Sequence, residues 1–397
     1  MLQSSKSLAL TLGAGALFSF GTFAQAAFDF TTIHYPGATS TQVFGLNNLG
    51  KVAASSTVPG MPSGVGYVYD VAGGTYTPTP PAPGGGTMRP LGINDAGLLC
   101  GNVFDTVTGA TQAYFLSGAT YTPIALPGFT NTFCRALNQL GQASGYAENG
   151  GVGATGWILT PPASFTSVTF PGAVFMIGQG INNAGTQVGS VLQVPGAVYA
   201  GSPSGNYGYV RASGGTITQF RVNGYQTRAR GINESNRLAG WVSIPAVGQR
   251  GFVIDAPSGG GYVDVTIPAA DFIVFPGAAN TIVEAINNAG EVAGIYDNGV
   301  VGESFGFVAT LPVAERLEDL ADLIDGMGLP RGIARSLLAK AEAAQASFAA
   351  GNTAAACGQL QALINQARAQ SGRQLTVAQS NAIIDEATAI RRAMGCA

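Results

Sequence analysis

One short phrase occurs six times in this chain, and it limits what the chain can fold into. It is an aliphatic residue, then Asn-x-x-Gly, then a short apolar stretch. The copies are LNNLG from Leu46, INDAG from Ile93, LNQLG from Leu137, INNAG from Ile181, INESN from Ile232 and INNAG from Ile286. The key asparagines Asn47, Asn94, Asn138, Asn182, Asn233 and Asn287 are spaced by 47, 44, 44, 51 and 54 residues. A period in that range marks a repeat architecture, and propeller blades are the all-β option at that length. Each copy reads as a tight turn between two strands. The Asn side chain starts the turn by bonding to the backbone two residues on. The last position needs positive φ, which Gly adopts without a Cβ clash. In the fifth copy that position is Asn236, the residue type that tolerates the left-handed region next best.

Four strand types recur around the turns. A first type alternates apolar residues, the half-buried strand pattern: FTTIHY from Phe30, YTPIAL from Tyr121, FTSVTF from Phe165, ITQFRV from Ile217 and YVDVTI from Tyr262. Pro-Gly often follows, where a missing N–H stops strand pairing. A second type runs into the Asn turn and a third leaves it. A fourth is Gly or Ala, an aromatic and an apolar residue, from Gly66-Tyr67-Val68 to Gly306-Phe307-Val308. The fourth and first types join through short Gly-rich turns and so pair as hairpins. The strand from Phe30 has no fourth-type strand before it, and the one from Gly306 has no first-type strand after it. Pairing these two orphans closes a ring and removes its open edges. The expected fold is therefore all-β: a six-bladed β-propeller closed by pairing of its N- and C-terminal strands, followed by a small α-helical bundle. An open solenoid is the competing arrangement, and it leaves both orphans unexplained.

Residues 1–26 read as a secretory signal peptide, with Lys6 at the positive start, an apolar run from Leu8 to Phe23, and Ala24-Gln25-Ala26 as the cleavage site. No other stretch is long and apolar enough to span a bilayer, so the mature chain is expected not to be membrane-spanning. The domain expectation is 27–311 for the six-repeat propeller and 312–397 for a four-helix accessory domain. The boundary is set by a switch from Gly, Thr, Val and aromatics to Ala, Leu, Gln and Arg. The first part holds 9 basic and 13 acidic residues and the second 8 of each. Neither is basic enough to point to nucleic acid.

The tail shows helix period. Leu317, Leu320, Leu323 and Ile324 form one apolar stripe. Ile333, Leu337 and Leu338 begin a second helix ended by Gly351, Thr353 caps a third, and Thr376 with Gln379 forms a capping box for a fourth. Four cysteines in an exported chain point to disulfides. Cys357 begins one expected helix and Cys396 ends the next, and an antiparallel hairpin brings those ends together, giving Cys357–Cys396. Cys100–Cys134 then remains, on strands of neighbouring repeats.

The INNAG-x-VAG phrase followed by a Gly-aromatic-Val strand resembles the extracellular HAF repeat family over about residues 41–310. The aromatic strand here reads GYVY or GFVI where the family name gives His-Ala-Phe. The run GIARSLLAKAEAAQASFAAGNTAAACGQLQALINQARAQSGRQLT resembles the FIMAH domain over about residues 315–394. That domain is found at the ends of exported and surface-associated bacterial proteins, several of them hydrolases. The first resemblance implies a scaffold and assigns no catalytic residue. The second implies an accessory module for attachment or interaction.

No catalytic residue, metal ligand or cofactor is assigned from the sequence. His34 is the one histidine, which argues against a Ser-His-Asp triad or a multi-histidine metal site; the repeat alignment makes it a solvent-facing strand residue. Glycosidases need only two carboxylates, and Glu148, Asp297 and Glu303 are the best placed for that. Six of the nine basic residues in 27–311 fall between Arg211 and Arg250. The expected face assignment splits them, with Arg228 and Arg250 on one side and Arg211 and Arg237 on the other. If the Pro-Gly links and the long loops form the working face, it carries Tyr146, Glu148, Tyr199, Tyr207, Arg228, Arg250, Tyr296 and Asp297. The leading expectation is a non-enzymatic binding or interaction protein, secreted, periplasmic or at the bacterial cell surface, with a glycan or another surface protein as partner. The alternative is a propeller-type polysaccharide-active hydrolase or lyase using loop carboxylates.

Overall fold

The computed structural model describes residues 28–396 apart from 106–107, 151–152, 162–163, 195, 197–201 and 311. The expected signal peptide, residues 1–26, lies outside the described residues.

Strand β1 (Asp29–Ile33) opens the fold. The first sheet is β2 (Ser40–Leu46), β3 (Lys51–Val58), β4 (Met61–Asp70) and β5 (Thr75–Pro78), in that order. The second is β6 (Met88–Ile93), β7 (Leu99–Phe104), β8 (Thr111–Ser117) and β9 (Thr120–Ile124). Then come β10 (Asn131–Leu137), β11 (Ala143–Glu148), β12 (Ala154–Thr160) and β13 (Ser164–Val168). They are followed by β14 (Ala173–Ile181), β15 (Gln187–Gln193), β16 (Gly205–Arg211) and β17 (Ile217–Val222). A three-stranded sheet, β18 (Gln226–Ile232), β19 (Arg237–Ile244) and β20 (Gly248–Asp255), precedes β21 (Gly261–Val265). The last strands are β22 (Asn280–Ile286), β23 (Val292–Asp297) and β24 (Phe305–Thr310).

The two orphan strands pair. β1 runs antiparallel to β24, with Phe30 opposite Ala309 and Ile33 opposite Gly306. They complete a four-stranded sheet of order β1-β24-β23-β22. The architecture is mostly β in a propeller arrangement, but the expectation of six separate blades is corrected. Four separate sheets form, and β10–β17 join with β21 into one nine-stranded sheet. Two local events cause this. β13 reaches only to Val168 opposite Gly156, which leaves the start of β12 unpaired, and Phe175 of β14 bridges Ala154 in parallel. In the fifth repeat the YVDVT strand was expected to form a hairpin with β20. Three consecutive left-handed glycines, Gly259, Gly260 and Gly261, turn the chain away instead. β21 then pairs in parallel with β17, while Ile273 takes the free edge of β20 through two hydrogen bonds with Gly251.

The Asn turns do more than reverse the chain. Each asparagine's Oδ1 accepts the backbone N–H four residues on, as from Lys51 to Asn47 and from Thr186 to Asn182. Each Nδ2 donates to the carbonyl of the next turn asparagine: Asn47 to Asn94, Asn94 to Asn138, Asn138 to Asn182, Asn182 to Asn233, Asn233 to Asn287, and Asn287 back to Asn47. A second belt runs outside it. The residue after each asparagine donates its backbone N–H to the side chain of its counterpart in the next repeat, so Asp95 and Glu234 accept from Asn48 and Asn183. Asn236 has φ 59° and the five turn glycines have φ of 71–77°, as the turn chemistry requires. Asn182→Asp removes two donated bonds and places a carboxylate at a position 1% exposed. The expected cost is about 2–4 kcal/mol, measured by denaturant unfolding. A loss below about 0.5 kcal/mol would show that the belt does not hold the ring.

Both expected disulfides form, Cys100–Cys134 and Cys357–Cys396, with Cα–Cα distances of 6.0 and 5.7 Å. The tail folds as α1 (Val313–Gly326), α2 (Arg331–Ala349), α3 (Thr353–Gln370) and α4 (Val377–Ala393). Leu317, Leu320, Ile324, Leu337, Leu360, Leu363, Ile383 and Ile390 share one core. The Thr376–Gln379 capping box is present. The cap of α3 is Asn352, one residue before the expected Thr353, because its side chain reaches the Ala355 N–H. No helix among the described residues is long and apolar enough to cross a membrane.

The bundle docks on the Asn-turn face. Arg316 of α1 is 1% exposed and lies 3.0 Å from Glu386 of α4 and 3.5 Å from Glu291, just past the sixth turn. Arg392 lies 2.5 Å from Glu291 and donates to the Asn48 carbonyl. Asn288 donates to Asp385. The helices therefore cover the turn side of the ring at repeats six and one.

Candidate functional site: the axial channel

Each innermost strand ends in the same pattern, a variable residue, Gly or Ala, Leu or Ile, then the turn Asn. The small residue lets neighbouring inner strands crowd together. A Cβ on Gly45 would meet the Leu91 carbonyl at 2.6 Å, and one on Gly231 would meet the Ile286 nitrogen at 2.9 Å. At or beside the variable residue every inner strand shifts register, for instance between Cys134 and Ala136, Ala229 and Gly231, and Val283 and Ala285. A bulge re-aims a side chain. Here it aims Phe44, Leu91, Arg135, Gln179, Arg230 and Glu284 at a cavity of about 80 Å³ on the ring axis, lined by residues from all six repeats.

Two arginines line this channel, Arg135 and Arg230, and two more, Arg89 and Arg228, stand close enough to interact electrostatically with Arg135 and Glu284. Arg135 and Arg230 belong to the bulge tier. Arg89 and Arg228 stand two residues earlier on their strands, nearer the Pro-Gly side. Arg230 and Glu284 lie 3.5 Å apart, with side chains 10% and 9% exposed. Arg228 and Arg230 hold their guanidiniums 5.1 and 5.7 Å from the Trp241 ring. Arg135 lies 5.4 Å from the Tyr146 ring and Arg89 lies 4.5 Å from Phe44. Arg89 also donates to Gln42. Burial pushes Arg230 down to about 10, with Glu284 opposing the fall and Arg135 and Arg228 adding to it. Burial lowers Arg89 and Arg228 as well, and the Arg135 charge adds to both shifts. The buried Nε atoms of Arg135 and Arg228 have no hydrogen-bond partner, and that of Arg230 faces Glu284 Oε2 at 3.5 Å. The formal charge of these five side chains is four positive and one negative.

The residues expected on one working face separate into different settings. Tyr146 lies beside the channel residue Arg135 and stacks on Phe133 at 4.4 Å, and Arg228 interacts electrostatically with the channel residues Glu284 and Arg135. Glu148 lines a different cavity of about 300 Å³ with Phe129, Asn149, Phe170 and Met176. Asp297 accepts from Asn280 and Gly299 in the sixth repeat, and Tyr296 stacks on Phe275 at 3.6 Å. Arg250 is held by the Gln249 and Ala279 carbonyls. Tyr207 is fully buried, with its hydroxyl donating to the Pro203 carbonyl. Tyr199 lies outside the described residues. His34 sits just past β1, half-buried with its ring 4.9 Å from Phe305, rather than facing solvent. Asp297 and Glu303 line neither of these two cavities, so the carboxylate set chosen from sequence does not share one. Among the described residues no group of three His, Cys, Asp or Glu is placed to hold a metal.

Sequence reasoning singled out Arg228 but missed Arg89, Arg135, Arg230 and Glu284, although the signal was present. Arg135, Arg230 and Glu284 each stand three residues before a turn Asn, and Arg89 and Arg228 five before. Reading by column across the repeats would have put them on one axis.

No protein-family model matches the chain, and no curated protein matches it. Among solved structures it is similar to one from a study of two prolyl endopeptidases, at 14% identity and TM-score 0.43, covering 70% of this chain and 43% of that one. TolB from Acinetobacter baumannii matches at 14% identity and TM-score 0.36, covering 57% and 56%. A subtype N11 neuraminidase-like protein of the H18N11 flat-faced bat virus matches at 9% identity and TM-score 0.43, covering 71% and 93%. The chain spans about half the length of the first two. Likeness at this level does not extend to a site or an activity.

Proposed function

We propose that this is an exported, non-enzymatic binding protein: a six-unit propeller of the HAF-repeat kind joined to a FIMAH-like helical module, acting in the periplasm, at the cell surface or outside the cell. Its partner is a glycan or another surface protein, and its ligand site is the axial channel. One observation carries the reading. The bulge tier sends a side chain from every repeat to one axial cavity, so the ring's chemistry converges there. The closed chain of six asparagine bonds supports the six-unit count, and the two disulfides support export. The hydrolase alternative needs two acids facing one substrate, and among the described residues Glu284 is the one carboxylate lining the channel. The test is a soluble saccharide panel applied to the full chain, read for binding and for product. Retained binding without turnover is expected. Release of reducing ends or unsaturated products would replace this reading with the enzymatic one.

A further inference from the structure

We propose that the axial channel is an anion site in which Arg135 and Arg230, with Arg89 and Arg228 nearer the rim, take one acidic group of the ligand, a carboxylate, sulfate or phosphate. The inference rests on the channel being the ligand site and adds what chemistry it selects. Like charges gathered in a confined space repel, and one carboxylate does not balance four guanidiniums. Two of those guanidiniums, Arg135 and Arg228, keep a buried Nε–H without an acceptor, and the Nε of Arg230 has only Glu284 at 3.5 Å, whereas buried donors are normally satisfied. An oxyanion supplies the charge and the acceptors together. The rings of Tyr146 and Trp241 back the guanidiniums, which holds each planar fork while leaving donors free for bidentate contact.

Size narrows the ligand further. A cavity of about 80 Å³ is well below the ~300–1,000 Å³ of whole small-molecule sites. It accepts an acidic head group and excludes a sugar ring. Direction follows from the docked helices. They stand over the Asn-turn face at repeats six and one, so the acid enters from the Pro-Gly face, passing Arg89 and Arg228 before reaching Arg135 and Arg230.

The experiment titrates the full chain with sulfate, phosphate and acetate, then with an oligogalacturonate and a neutral oligosaccharide of equal length, by calorimetry at low ionic strength. The variants are R135Q, R228Q and E284Q, with fold checked by circular dichroism. Both arginine variants are expected to weaken acidic probes at least tenfold. E284Q is expected to tighten them at least threefold, a sign that a packing role for Glu284 does not produce, and this arm stands even if an arginine variant misfolds. Free ions binding with this pattern, or only the oligogalacturonate doing so, supports the proposal and distinguishes a free anion from a carried one. No acidic probe binding, or E284Q weakening them, overturns it. A neutral oligosaccharide binding as well as the acidic one overturns the anion inference and leaves the binding reading intact. Cleavage of a bound oligogalacturonate does the reverse.

Discussion

Arg316→Met is expected to detach the helical bundle from the ring and to lower stability by about 3–5 kcal/mol, the range for breaking one side of a buried ion pair. Arg316 is 1% exposed and donates to Glu386 and to the Ala289 carbonyl, with Glu291 3.5 Å away. Glu291 keeps Arg392 in the variant, but Glu386 is left buried without a cation. Thermal unfolding together with proteolysis between Thr310 and Val313 is the measurement. A variant as stable and as protease-resistant as the parent would show that the interface does not depend on this pair. The same site gives a pH dependence. Burial pushes the Glu386 carboxyl from 4.5 up to about 7, against the pull of Arg316. The folded chain then holds that proton more tightly than the unfolded chain. Stability from this group is therefore highest below about pH 4.5 and falls as pH rises towards 7. Glu386→Gln is expected to flatten that slope, and an unchanged slope would assign it to another group.

Removing residues 28–35 is expected to open the ring. β1 supplies Ile33, fully buried, and Phe30, whose ring lies 5.6 Å from Phe307 and 5.0 Å from Phe275. Burial of Ile33 contributes about 2–3 kcal/mol, and each lost ladder bond about 1 kcal/mol. A loss of about 4 kcal/mol or more is expected. β24 would also become a bare edge, able to pair with another chain. Size-exclusion chromatography should show self-association, reversed by a peptide spanning residues 28–36. A truncated chain that stays monomeric with an unchanged unfolding midpoint would refute closure by β1.

Turn positions, strand types, ring closure, both disulfides and the helical tail were legible in the sequence. Each depends on local chemistry or on a pattern repeated six times. Asn236 in the left-handed region and the Thr376–Gln379 box are cases where residue type alone sets geometry. The fate of YVDVT was not legible. Its alternation says strand and does not say which neighbour it pairs with, and the choice of β17 over β20 came from three successive glycines that any loop could hold. The axial cavity was not legible either. Variable loops drew attention to Tyr207 and Asp297, which bond to local partners, Pro203 for the first and Asn280 and Gly299 for the second, while Arg89, Arg135 and Arg230 lay inside regular strands.

The sequence by itself determined the repeat, its turns and its closing strands, because hydrogen bonds from an Asn side chain and the positive φ of a turn residue act over four residues. Only the tertiary structure decided what meets on the axis and what covers the turn face. Arg89, Arg135, Arg228, Arg230 and Glu284 are brought together by closing the ring, and Arg316 meets Glu291 and Glu386 by docking a helix. Charges far apart in the chain interact only once the fold sets the distance between them.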